Sequence, residues 1–135
     1  MDPNEQRIYV CIDADDVGAK IELMLLDENI DEASLIANSV RNAMQSMRGT
    51  VAKNPTANLL MSGCDDIIAE FLTPDEVDTV IDRIRSEFFN STGFSLTAGI
   101  GVSIRDAMDS LRRGKLMGKD QVVHSTAASN MIGDP

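Results

Sequence analysis

Five aspartates stand in two tight groups along the chain: Asp13, Asp15 and Asp16, and then the adjacent pair Asp65 and Asp66. Each group borders an apolar, strand-like run. Adjacent carboxylates at the head of a strand repel each other, raise each other's pKa and sit where strands disfavour aspartate. A divalent cation removes that conflict, and oxygen-only donors favour magnesium or manganese over zinc. Carboxylates from two strands with Lys115 and Lys119 beyond them suit metal-assisted phosphoryl or nucleotidyl transfer. Two cations roughly 3.5–4 Å apart lower the pKa of an attacking 3′-hydroxyl and neutralise a pyrophosphate leaving group. The lysines hold phosphate oxygens as point charges. A solvated acidic turn is the plain alternative for Asp65-Asp66 alone, and the second acidic group weighs against it.

The elements that must position these residues follow from patterning. Residues 8–12 (IYVCI) form a continuous apolar run, the mark of a strand covered on both faces, with Asp13 at its end. Val17, Ile21, Met24 and Leu25 recur at helical spacing, closed by Asp27-Glu28-Asn29. Ala33, Ile36, Ala37, Val40, Ala43, Met44 and Met47 make one stripe, so a longer helix spans 31–48, and 49–56 is a loop. Residues 59–71 (LLMSGCDDIIAEF) read as strand, tight turn, strand, with Asp65 and Asp66 at the tip. Thr73, Pro74 and Glu76 carry the signals of a capping box opening the next helix, which 90–93 break. Residues 94–102 (FSLTAGIGV) predict a strand in which Gly99 and Gly101 permit close backbone approach. Ser103 caps a last helix to about 118, residues 121–124 suit a short edge strand, and 125–135 a frayed, disordered tail.

The order strand, helices, strand, strand, helix, strand, helix matches an α+β fold: a ferredoxin-like or palm βαββαβ sandwich, an antiparallel sheet with helices on one face. Residues 1–124 are expected to form one domain. Antiparallel pairing of the third strand with the first brings Asp13 beside Asp65 and Asp66. The helix after the fourth strand returns to the same end, where it delivers Lys115 and Lys119. Lys115 continues the stripe of Ile104, Ala107, Met108 and Leu111, and either snorkels or reaches the carboxylates. Arg112 and Arg113 read as solvated helix charges, as do Glu22, Glu28 and Glu70. His124 has no evident partner, and the methionines read as core filler.

Composition bounds the rest. The chain has 135 residues, 43% of them apolar, enough for one domain with a real core. Its net charge of −10 argues against binding duplex nucleic acid by a basic surface. Neither a leader nor a long apolar run is evident, so a cytoplasmic protein without a membrane span is expected. Cys11 and Cys64 give no disulfide framework and no metal-ligand spacing.

The stretches Asp13-Ala-Asp-Asp-Val-Gly, Ser62-Gly-Cys-Asp-Asp-Ile, Ala98-Gly-Ile-Gly-Val-Ser and Gly114-Lys115 to Gly118-Lys119-Asp120 together resemble the four landmarks of GGDEF diguanylate cyclases and CRISPR polymerase palms. The resemblance is nearest to the minimal CRISPR polymerase family and covers residues 8–123. It implies a cyclic oligonucleotide synthase of antiphage defence that joins nucleoside triphosphates, ATP favoured, into a cyclic dinucleotide. By that likeness Asp13, Asp65 and Asp66 are catalytic, and together with the Ala14 carbonyl they hold a two-metal magnesium or manganese site. Asp16, Val17, Gly18, Lys20, Gly63, Cys64, Lys115 and Lys119 take nucleotide or phosphate. Two protomers face each other as a homodimer, and the product acts on a downstream effector protein.

Cys64 departs from that pattern, replacing the second glycine of Gly-Gly-Asp-Asp. If its backbone needs a positive φ, strain of about 1 kcal/mol follows, and the side chain crowds the nucleotide. Cys64 thereby supports a competing reading, an impaired palm module that only binds nucleotide or cyclic dinucleotide. A haloacid-dehalogenase-like phosphatase also shares Asp13-x-Asp-x-Val, yet its second acidic pair should precede a helix, and here 67–71 is a strand. A calcium loop fails because Met24 stands where a bidentate glutamate belongs.

Overall fold

A computed structural model describes residues 6–132. The first five residues of the polar lead and the last three of the expected tail lie outside them. The chain runs β1 (Ile8–Ala14), α1 (Val17–Leu26), α2 (Ile30–Lys53), β2 (Ala57–Ser62), β3 (Asp66–Phe71), α3 (Val77–Thr92), β4 (Leu96–Gly101), α4 (Ile104–Leu116), β5 (Val122–His124) and α5 (Thr126–Ile132). The strands form one sheet in the order β2-β3-β1-β4-β5, antiparallel except for β5, which runs parallel to β4. This is the mixed α+β palm expected from the pattern. A register irregularity interrupts β2 between Leu59 and Met61.

Pleating sends alternate residues to opposite faces. Ile8, Val10 and Ile12, with Ile67, Ala69 and Phe71 and with Leu96, Ala98 and Ile100, are buried in one cluster with Val40, Met44 and Met47 of α2 and Ile81, Ile84 and Phe88 of α3. The other face carries Thr97, Gly99 and Gly101, and there α4 lies so close that a Cβ on Gly99 would fall on the backbone of Ala107 and Leu111. Helices therefore cover both faces rather than one, because glycines on β4 leave room for α4.

Several boundaries differ from expectation. Helix α2 runs on to Lys53, since Val51 is buried one turn beyond Met47 and the chain bends only at Asn54. Helix α3 starts at Val77 without a side-chain cap, and the Glu76 carboxylate instead accepts from Asn54 Nδ2 at 3.4 Å. It continues to Thr92 and ends on Gly93, whose φ of 77° favours a residue without Cβ. Strand β4 is trimmed to Leu96–Gly101. Helix α4 starts as expected, with Ser103 Oγ accepting from the Asp106 N–H at 3.1 Å, but stops at Leu116. The expected tail holds α5, whose Ala128 is fully buried in the core with Met131 and Ile132 packed against it. Of the methionines, Met44 and Met47 are core, whereas Met61, Met108 and Met117 are exposed. No helix among the described residues is long and apolar enough to cross a membrane.

Candidate functional site

Register brings the acids together. Asp13 on β1 lies directly opposite Asp66 on β3, on the sheet face that α4 covers, and the Ala14 N–H donates to the Asp65 carbonyl at 2.9 Å, fixing the hairpin turn beside the end of β1. Carboxylate oxygens of Asp13, Asp65 and Asp66 lie within 4.8 Å of one another. Gly63 leaves the Asp66 carboxylate its present place, because a Cβ at this position would displace it. Burial raises the Asp13 pKa and the charges of Asp65 and Asp66 add to it, against a lowering pull from Lys115. Three crowded carboxylates with hard oxygen donors fit a divalent cation such as magnesium or manganese, which would relieve that repulsion.

Asp15 is the residue whose role sequence reasoning missed. It is only 2% exposed and accepts hydrogen bonds from Ser95 Oγ (2.7 Å), Thr97 Oγ1 (2.8 Å), the Asp120 N–H (3.0 Å) and Lys115 Nζ (2.6 Å). Burial pushes its pKa up, but these donors outweigh burial and hold it below the usual carboxylate value. Asp15 thus ties β1 to β4, to α4 and to the loop after α4. That loop is backbone-strained: Gly118, Lys119 and Asp120 have φ of 121°, 65° and 51°. Such left-handed runs persist only where surrounding contacts over-determine them. Here the contacts are the Asp120 N–H bond to Asp15, the Lys119 N–H bond to Gly114 and the Arg85–Asp120 ion pair at 2.8 Å.

Lys115 reaches the carboxylates rather than snorkelling outward, pairing with Asp13 Oδ2 at 3.2 Å as well as with Asp15. The face of α4 beneath it is Ala107, Ser110 and Gly114, while Ile104 and Met108 of the expected stripe are exposed. Lys119 pairs with Asp16, which itself sits at φ 63° at the start of α1. This pairing raises the Lys119 pKa. An open cleft of about 480 Å³ is lined by Asp13, Asp16, Asp65, Arg112, Lys115 and Lys119. Arg112 therefore faces the site, whereas Arg113 pairs with Asp109 on the exposed side of α4. A second, more apolar cleft of about 580 Å³ adjoins it, sharing Val17, Gly18 and Asp65 and walled by Ile21, Val40 and Met44, with Arg41 and Arg48 at its rim. Gly63 and Cys64 line this second cleft. Lys20 is exposed on α1 and lines neither.

Cys64 is exposed, and its φ is not among the positive values of the described residues, so the strain that would follow from a glycine-like turn does not arise. Cys11 is core: burial, and then the Asp66 charge, push its thiol up to about 11. Two other readings change. Glu70 is buried, accepting from Arg7 and Asn58 at 3.3 and 3.2 Å, and His124 Nε2 meets Asp78 Oδ1 at 2.7 Å.

The sequence pattern of the minimal CRISPR polymerase domain matches residues 9–125. The chain belongs to that family. Curated proteins offer no sequence match. Among solved structures, this chain is similar to the Csm1-Csm4 cassette in complex with cA4, at TM-score 0.65 and 16% identity over 88% of this chain and 21% of that one. It is also similar to the diguanylate cyclase SiaD, in complex with its activator SiaC from Pseudomonas aeruginosa, at TM-score 0.68 and 12% identity over 93% of this chain and 52% of that one. A GGDEF domain solved with cyclic di-GMP matches at TM-score 0.62 and 12% identity, over 88% of this chain and 76% of that one. At these identities the likeness is one of fold. The chain spans about a fifth of the Csm1-Csm4 chain and about half of SiaD. The family is thus that of the minimal CRISPR polymerase domain, and the fold is one shared with the Csm1-Csm4 and GGDEF structures.

Proposed function

We propose that this palm is a metal-dependent nucleotidyltransferase that joins nucleoside triphosphates, ATP favoured, into a cyclic oligonucleotide, most simply a cyclic dinucleotide. The observation that carries this reading is the convergence of Asp13 and Asp65, with Asp66 clustered beside them, and of Lys115, Lys119 and Arg112 on one cleft that adjoins an apolar one. The apolar walls Val17, Ile21, Val40 and Met44 suit a base, and Arg41 and Arg48 suit its polar edge or a phosphate. Lys115, Lys119 and Arg112 would hold the triphosphate, and Asp13, Asp65, Asp66 and the Ala14 carbonyl would hold the cations. Two magnesium or manganese ions, when bound, lower the pKa of the attacking 3′-hydroxyl and neutralise the departing pyrophosphate.

The described residues form one cleft with this acid and lysine set, and ring closure takes two attacks on α-phosphates, so two protomers would face each other with a nucleotide in each. ATP is favoured because the CRISPR-polymerase family is the one matched and a similar Csm1-Csm4 cassette was solved with ATP. The product would act as a signal in antiphage defence through a cyclic-nucleotide effector, within the cytoplasm. Incubation with the four ribonucleoside triphosphates and manganese, followed by anion exchange with mass detection, should yield a phosphatase-resistant cyclic product and pyrophosphate. Asp65→Ala should lose that product by about a thousandfold or more while melting as the parent does, since Asp65 fills no core position. Absence of any product from the parent chain would leave the binding-module reading in its place.

A further inference from the structure

The ammonium of Lys115 stands on four oxygens: Asp15 Oδ1 at 2.6 Å, the Ala14 carbonyl at 3.1 Å, Asp13 Oδ2 at 3.2 Å and the Asp13 carbonyl at 3.3 Å. Its three protons are fully engaged there. Two of those oxygens, the Ala14 carbonyl and Asp13 Oδ2, belong to the donor set assigned above to the cation. A hard divalent ion needs its oxygens at about 2.0–2.2 Å, and a second positive charge on the same lone pairs would repel it strongly.

We propose that Lys115 is a stand-in cation: it holds the cation's own oxygens, and yields them by swinging its ammonium toward the triphosphate. This rests on the nucleotidyl-transfer reading and adds an order to it. Cation alone binds weakly, and cation with triphosphate binds as a coupled pair, because the nucleotide gives the displaced ammonium a new partner. Asp15 is the pivot. It is held by Ser95, Thr97 and the Asp120 N–H independently of Lys115, so the lysine can leave Ala14 and Asp13 without stranding a buried charge. Lys119 carries the same charge nearby but is hydrogen-bonded to Asp16 and to neither of the contested oxygens.

The test is manganese binding to the full chain without nucleotide, read by electron paramagnetic resonance. Lys115→Gln should bind manganese about tenfold tighter than the parent, within the range of coupling between competing ligands. Lys119→Gln, which removes an equal but exposed charge, should change it by less than about twofold. Adding a non-hydrolysable nucleoside triphosphate should tighten manganese binding in the parent and do so less in Lys115→Gln. Equal affinity in parent and Lys115→Gln, with Asp65→Asn weakening both, overturns the stand-in role and leaves the cation site. Manganese binding that ignores Asp65→Asn overturns the nucleotidyl-transfer reading and the stand-in role with it. Nitrogen-15 NMR of the unaltered protein checks the swing without a substitution: saturating magnesium should move the Lys115 ammonium signal, and an unmoved signal overturns the proposal.

Discussion

At the scale of single residues, position 64 separates strain from obstruction. Without a left-handed backbone, cysteine stores nothing there that glycine would release, and glycine adds freedom to the unfolded chain. Cys64→Gly should therefore destabilise by about 0.5–1 kcal/mol in urea unfolding rather than stabilise. Glu70 makes a second residue-scale case. Burial would raise its pKa, but donors on Asn58, Tyr9 and Arg7 overcome burial and hold it low. A depressed carboxyl contributes its stability above the unfolded pKa and loses it as pH falls through the folded one. Glu70→Gln should cost about 1–2 kcal/mol at pH 7, with the gap from the parent closing in acid. It should spare activity, because Glu70 lies four residues along β3 from Asp66, about 13 Å away. What could be read of such residues from sequence was their chemistry, not their company. The acids announced themselves by type and by landing at strand ends, and the lysines by type and by their place around the end of the last long helix. Asp15, Glu70 and His124 did not, because their partners come from distant parts of the chain and a carboxylate with four donors is spelled like one in water.

At the scale of elements, the contact of α4 with β4 sets the site. Helix α4 delivers Lys115, and its closeness depends on Gly99 and Gly101. Gly99→Ala must push the helix outward, so it should cost about 3 kcal/mol in urea unfolding and weaken triphosphate binding in step, although residue 99 touches no part of the cleft. A loss of stability without a loss of nucleotide affinity would show that Lys115 is placed by Asp15 alone. The strands and the middles of α2 and α3 were legible because apolar runs and stripes fix them, whereas the buried face of α4 is Ala107, Ser110 and Gly114 rather than the expected stripe. Their ends were not. Residues 49–56 read as a loop, yet Val51 continues the buried stripe of α2. Helix α5 hides because seven residues with a single fully buried alanine offer too short a period to detect. The placement of helices on both faces was latent in the two glycines of β4, which were read for backbone approach but not for a helix above them.

At the scale of the whole molecule, charge governs association. Two copies at −10 each repel, so the proposed homodimer should tighten as ionic strength rises toward about 0.15 M, where the Debye length is about 8 Å. Light scattering with nucleotide and magnesium present would read this, and a monomer under those conditions would count against a paired mechanism. The sheet bears on such pairing too. Its rims are β2, whose ladder slips between Leu59 and Met61, and β5, which is three residues long. Neither offers a straight row of free amides and carbonyls for a neighbour to extend. Copies can thus be crowded together cleft to cleft without their sheets fusing into a fibre, so that whatever pairs these molecules remains reversible.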